Sequence, residues 1–244
     1  MGYSLLPMIE LYKIKAISLD LDDTLWPIWP VIERAEKVLL VWLKQHAAET
    51  AALFCSPAAL REIREFVATE LVKTRPEITH DLSAIRRESI RLALSRAGNN
   101  PALAELAFDV FFAERNKVEL YEDALPALKA MAAKYPLVAL SNGNASVHTV
   151  GLGNYFKAAL SASVFGVGKP DVRIFQAAAD AVGVQAHEVL HIGDDAALDV
   201  LGGIEAGMQT VWLNRDGKLY PHNKKPTVEV GSLKAVCEML GLLA

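Results

Sequence analysis

Residues 14–26 read IKAISLDLDDTLW. Ile14, Ala16, Ile17 and Leu19 form an apolar, β-branched run with no internal charge beyond Lys15, the pattern of a strand buried in a parallel sheet. The run stops in three carboxylates, Asp20, Asp22 and Asp23. On an extended backbone residues two apart point to the same side, so Asp20 and Asp22 address one small volume beyond the strand end. In open parallel sheets that volume is where ligands bind. Two carboxylates about 4 Å apart repel by roughly 4 kcal/mol at an effective dielectric of 20. A proton or a cation is therefore expected between them. The plainer alternative is a solvated acidic loop.

Working outward, residues 1–13 read as a short leader or an added edge, with Pro7 disfavouring a central strand. After the acidic strand end, Pro27 and Pro30 close one element and permit a helix to start. Val31, Ala35, Val38, Leu39 and Trp42 then fall on one helical face. Ser56-Pro57 is a cap followed by proline, opening a helix with Leu60, Ile63, Val67 and Leu71 inward. Asp81 or Ser83 opens another, with Ile90, Ala93, Leu94 and Ala97 on one side. Asn100-Pro101 repeats the signal before Leu103, Leu106, Ala107, Val110 and Phe111. Residues 27–118 thus read as a helical insertion, most simply a four-helix bundle.

Beyond it, strand and helix alternate. Strands are expected at 137–140, 159–164, 189–192 and 210–213, and helices at 123–133, 171–182, 198–206 and 233–242. This order predicts an α/β fold, a Rossmann-like, doubly wound parallel sheet covered on both faces. Residues 1–26 and 119–244 would form that core, with 27–118 inserted into it as a helical cap domain.

The chain has 244 residues, 52% of them apolar and 22% charged, enough for one large or two modest soluble domains. A net charge of −4 with scattered Lys and Arg argues against a nucleic-acid partner. The N-terminal residues lack a basic start and a long apolar run, so neither a signal peptide nor a membrane span is expected, and a cytoplasmic location is. Cys55 and Cys237 are far apart and read as reduced thiols. A monomer or a homodimer fits equally.

The expected strand ends carry four signatures in order: Asp20-x-Asp22-x-Thr24, then Ser141-Asn142-Gly143, then Lys169-Pro170, then Gly193-Asp194-Asp195 with Asp199 beyond. Taken singly they are weak. Ser141-Asn142-Gly143 alone is a turn, Lys169-Pro170 a helix start, and Asp194 and Asp195 helix caps. As an ordered set, with helices inserted between the first and second, they resemble the haloacid dehalogenase superfamily of the type with a helical cap. The resemblance runs from Ile14 through the rest of the chain.

That resemblance implies a Mg²⁺-dependent phosphatase of small phosphorylated molecules. Asp20 would be the nucleophile and Asp22 the general acid and base, an order that spacing alone does not fix. Mg²⁺ would be held by Asp20, the main-chain carbonyl of Asp22 and Asp194. Asp195 and Asp199 would hold outer waters or pair with Lys169. Lys169 supplies a fixed charge, Thr24 and Ser141 their hydroxyls and Asn142, with Gly143 beside it, a backbone N–H to the phosphoryl oxygens. Pro170 is expected to open a helix whose N-terminus adds a favourable dipole. Asp22 favours phosphate over carbon–halogen cleavage, because the family's dehalogenase branch has no general acid there. A sugar phosphomutase of the same design, or a non-catalytic metal- or ligand-binding relative, remains open.

Residues 75–81 (RPEITHD), with Arg86 and Arg87, form a candidate specificity loop; a solvated interhelical loop is the alternative. Trp26 and Trp29 either line the substrate entrance or seat the cap. His191, inside an apolar strand, reads as a satisfied core histidine. The wording LDDTLW, RPEITHD, SNGNA, GLGNYF and GDDxxxD is similar to bacterial flavin-pathway phosphatases acting on FMN and on 5-amino-6-(5-phospho-D-ribitylamino)uracil. The implied substrate is a phosphorylated ribityl or sugar compound.

Overall fold

The chain 14–26 enters a buried strand and leaves it as a tight acidic turn, and the rest of the sheet is arranged around that strand. In the computed structural model, which describes residues 9–242, β1 (Ala16–Leu19) is buried at every residue. It pairs in parallel with β2 (Leu137–Ser141) on one side and β4 (Val189–Gly193) on the other. β3 (Ala158–Ser161), β5 (Gln209–Leu213) and β6 (Val228–Val230) complete the order β3-β2-β1-β4-β5-β6. The connections reverse direction between β1 and β4, so the carboxyl ends of these two strands flank the crevice that such sheets use for ligands. Pro7, read as disfavouring a central strand, lies outside the described residues.

The described chain divides into two compact units: one runs to Pro27 and includes Glu119–Gly143 and the chain from Val147 on, and the other comprises Ile28–Val118 with Asn144–Ser146. The second unit holds α1 (Ile28–His46), α2 (Ala48–Leu53), α3 (Pro57–Thr74), α4 (Leu82–Arg96) and α5 (Ala104–Arg115). Helix α3 forms as its sequence dictates. The Ser56 hydroxyl accepts from the Ala59 N–H at 3.2 Å, and Leu60, Ile63, Val67 and Leu71 are its buried residues. Asp81, not Ser83, caps α4 by accepting from the Ser83 and Ala84 N–H groups. Helix α2 was not expected, being too short to show a period. In α5 the buried stripe passes through Ala104, Ala107, Phe108 and Phe111, and Leu106, expected inward, is 58% exposed.

The sheet unit carries α6 (Ala124–Ala132), α7 (Val147–Val150), α8 (Ala162–Phe165), α9 (Val172–Asp180), α10 (Gly202–Glu205) and α11 (Leu233–Met239). One apolar layer joins Ala16, Val138, Leu140 and Val189 of the sheet to Ile174, Phe175, Ala178 and Ala179 of α9. Pro170 does not open α9. That helix starts at Val172, with the Asp171 carboxylate accepting from the Arg173 N–H. The region expected as one helix at 198–206 is a π-helical turn, Ala196–Leu201, running into α10. Cys55 is exposed and Cys237 buried, both as free thiols. No helix among the described residues is long and apolar enough to cross a membrane.

Candidate active site

Two local devices shape the end of β1. The Asp20 N–H donates to the Ile192 carbonyl at 2.9 Å, which fixes the strand end against β4. Asp23 then adopts φ +57°, a left-handed conformation that Asp tolerates better than most residues. The turn brings the Asp23 N–H onto the Trp26 carbonyl at 2.7 Å, and the Trp26 indole Nε1 donates to Asp22 Oδ1 at 2.8 Å. Trp26 is fully buried. It is therefore a holder of Asp22 and not the open stacking face that the sequence reading offered; Trp29 is the exposed ring of the two.

Beside Asp20 stands Lys169. Its ammonium Nζ donates to Asp20 Oδ1 and to Asp199 Oδ1, at 2.5 Å each. Asp199 also meets His191 Nε2 at 3.1 Å and accepts from the Asp195 N–H at 3.0 Å. His191 in turn shares a hydrogen bond between Nδ1 and the Ser18 hydroxyl at 2.8 Å. His191 is a satisfied core histidine, as read, but one whose partner belongs to the site. Gly193 is required by this packing, since a Cβ there would strike the Asp199 carboxyl. Asp195, offered as an outer-water or lysine partner, instead caps the following turn through the Ala197 and Leu198 N–H groups at 2.8 Å each.

Asp194 lies at the end of β4. The Thr24 hydroxyl donates to its Oδ1 at 3.3 Å, and the Trp212 indole donates to its carbonyl at 2.7 Å. Thr24 has no exposure, so its hydroxyl serves the carboxylate and not a phosphoryl oxygen. The Ser141-Asn142-Gly143 turn closes the other side. The Gly143 N–H donates to the Ser141 hydroxyl at 2.9 Å, and a Cβ at Gly143 would collide with the Asp22 carboxylate. The Asn142 side chain exchanges two hydrogen bonds with the Lys169 backbone, at 2.7 and 2.8 Å. The turn thus fixes both Lys169 and the space beside Asp22.

Burial pushes the Asp20 carboxyl well above the ordinary carboxylate range; Lys169 opposes this, and Asp199 and Asp194 add to it. Burial, with Asp199 and Asp23 nearby, pushes Asp194 up to about 7. Burial works against the charge on Lys169, but Asp199 and Asp20 outweigh it and hold the ammonium above its usual range. For Asp199 burial is likewise outweighed, here by Lys169 and the bond from His191, and its carboxyl is held below the usual range. Desolvation lowers His191, against the pull of the Asp199 carboxylate.

Carboxylate oxygens of Asp20, Asp194 and Asp199 lie within 4.8 Å of one another. Fully ionised, three carboxylates against one ammonium would leave a surplus of two negative charges, a repulsion that contributes to raising Asp20 and Asp194, and the donors are all oxygen. That set fits a hard divalent cation such as Mg²⁺. Asp199 is occupied by Lys169, His191 and the Asp195 N–H, which leaves Asp20 and Asp194 as the side chains to hold the ion. The Asp22 side chain is absent from this cluster and is directed to Trp26 and Gly143.

The proposed specificity loop divides otherwise. Arg86 is 4% exposed, pairs with Glu36 at 3.2 Å and packs over the Phe111 ring at 4.1 Å. Arg87 lies over Phe108 at 3.8 Å and pairs with Glu105 at 3.0 Å. Both arginines are committed inside the helical unit. Arg215, not singled out from sequence, contacts Thr24 and Asp123; its only signal in the sequence is a charged residue two positions past an apolar strand.

Residues 14–207 match the family model of haloacid dehalogenase-like hydrolases. The chain is 35% identical over 223 residues to the 5-amino-6-(5-phospho-D-ribitylamino)uracil phosphatase YigB of Escherichia coli (strain K12), covering 86% of this chain and 91% of that protein. It is 33% identical over 157 residues to the phosphoserine phosphatase of Thermus thermophilus, covering 62% and 63% of the two chains. Among solved structures, the crystal structure of 2-haloacid dehalogenase from Pseudomonas syringae pv. Tomato DC3000 superposes with a TM-score of 0.84 at 34% identity, covering 95% of this chain and 100% of the other.

Proposed function

The chain belongs to the haloacid dehalogenase-like hydrolases, and from that premise we propose that it is a Mg²⁺-dependent phosphatase of small phosphorylated metabolites acting through a phospho-Asp20 intermediate. The observation that carries this reading is the pairing of a surplus-charged carboxylate cluster at the β1 and β4 ends with a separately held Asp22. Asp20 and Asp194 would hold the ion, which when bound neutralises charge between the carboxylates and a phosphate dianion.

The residues divide the work. Asp20, fixed by the Lys169 ammonium, attacks phosphorus. Asp22, with its Oδ1 anchored on the Trp26 indole, delivers a proton to the departing alkoxide. A water then attacks phosphorus of the acyl phosphate, Asp22 takes its proton, and phosphate and the free Asp20 carboxylate result. Lys169, backed by Asp199, holds positive charge beside the phosphoryl group throughout.

The dehalogenase of P. syringae is the observation favouring a second reading, carbon–halogen cleavage. Halide leaves without a proton, so that chemistry gives a well-anchored Asp22 nothing to do. The likeness to the E. coli phosphatase favours a phosphorylated ribityl or sugar compound, FMN included, as substrate. Phosphate release from p-nitrophenyl phosphate, sugar phosphates, nucleotides and FMN, beside chloride release from 2-chloropropionate, tests the reading. Phosphate release lost in Asp20→Asn supports it; halide release alone overturns it.

A further inference from the structure

Strand β5 contributes no group to phosphoryl transfer in the reading above, yet the residues at its end grip the site from behind. Arg215, two residues past β5, donates through Nη2 to the Thr24 carbonyl at 3.0 Å. It also pairs with both Asp123 oxygens, at 3.0 Å from Nη2 and 3.3 Å from Nη1. Its guanidinium lies over the Tyr121 ring at 4.0 Å. The Tyr121 N–H donates to the Leu25 carbonyl at 2.9 Å, and Asp123 Oδ2 accepts from the Leu233 N–H at 2.7 Å. The chain leaves the sheet unit after Pro27 and re-enters it at Glu119, so residues 24–27 and 119–123 are its two crossings. One planar cation binds both. The first crossing contains Thr24, whose hydroxyl holds Asp194, while Trp212 holds the Asp194 carbonyl.

We infer that Arg215 is a positioning residue for this site: by tying the Thr24 carbonyl to Asp123 and Tyr121, it sets the 20–26 loop against Asp194 and so keeps Asp20 and Asp194 at the separation a cation needs. The inference rests on the function proposed above for its catalytic consequence, but its structural content is independent of it. Arginine suits the place because its fork reaches the carbonyl and the carboxylate together while its flat face stacks on a ring. A lysine would reach one acceptor.

The test compares wild type with Arg215→Met, Arg215→Lys and Asp123→Asn. Three measurements are read on each: Mg²⁺ binding by calorimetry, peptide-level hydrogen exchange, and kcat and KM for p-nitrophenyl phosphate. For Arg215→Met, Mg²⁺ affinity and kcat are expected to fall by roughly ten- to a hundred-fold, the range for outer partners of metal ligands, with KM changed less than kcat. Exchange should quicken across 20–26 and 119–123 and stay unchanged in β2 and α9. Arg215→Lys should fall between, and Asp123→Asn, which leaves the Thr24 contact in place, should lose less Mg²⁺ affinity than Arg215→Met. A merely structural ion pair would lower the melting temperature and leave cation affinity and kcat of the folded protein alone; that result overturns the inference. Should Arg215→Met fail to fold, Arg215→Lys and Asp123→Asn decide it by the same ranking. Should wild type release no phosphate, the functional reading fails while the exchange arm still decides the positioning role.

Discussion

Each unit buries a charged cluster, and the two are opposite in sign. In the sheet unit the Lys169 ammonium is outnumbered by Asp20, Asp199 and the neighbouring Asp194. In the helical unit the Glu36 carboxylate is outnumbered by Arg86 at 3.2 Å and Arg61 at 3.5 Å. The surpluses are handled differently. The Arg61 side chain is 29% exposed and carries its charge to water, as long basic side chains do. The Asp20 and Asp199 side chains are only 10% and 2% exposed, and only Asp194, half-buried, reaches toward solvent. A buried surplus that drains to solvent is compatible with a packing role. One that cannot drain calls for a counter-ion, and there chemistry is expected.

The comparison breaks most visibly at Lys169. Lys169→Met should lower kcat for p-nitrophenyl phosphate by about 10³-fold, the scale of losing a charge-stabilising donor. Near-native turnover would make this cluster as structural as the other. In the helical unit the effect should fall on stability instead. Glu36→Ala leaves Arg86 buried without its carboxylate, at a cost of about 3–5 kcal/mol in urea unfolding. The double replacement Glu36→Leu with Arg86→Met should recover most of that loss, and turnover per folded molecule should hold in both. Smaller still, His191→Ala removes the ring that steadies Asp199 and should cost roughly ten- to a hundred-fold in kcat. An unchanged kcat with a lowered melting temperature would reduce His191 to core packing.

How much of this was legible beforehand follows range in sequence. Ser56-Pro57 and Asp81 announce helix starts because a cap bonds residues two or three away. β1 and its acidic end were legible because burial on both faces leaves a continuous apolar run. Asp171 displaced Pro170 as the start of α9 because a carboxylate that reaches the Arg173 N–H is the stronger cap. Strand β6 and helix α2 are too short to carry a period. Leu106 departs from the expected face because α5 turns its alanine and phenylalanine stripe inward instead. The site's supporting contacts were out of reach: Ser18 and His191 are 173 positions apart, and Arg215 and Thr24 are 191 apart. No local pattern encodes such pairs. The sequence leaves Trp26 between lining the substrate entrance and seating the cap, because its indole bond to Asp22 depends on the left-handed turn at Asp23.

The most direct measurement is a chelation and add-back titration on phosphate release from p-nitrophenyl phosphate. Activity should vanish in EDTA and return in full as Mg²⁺ is restored, with Asp194→Asn shifting the half-activating concentration upward. Turnover indifferent to EDTA, in wild type and in Asp194→Asn alike, would contradict the claim that the buried carboxylate surplus exists to hold a cation.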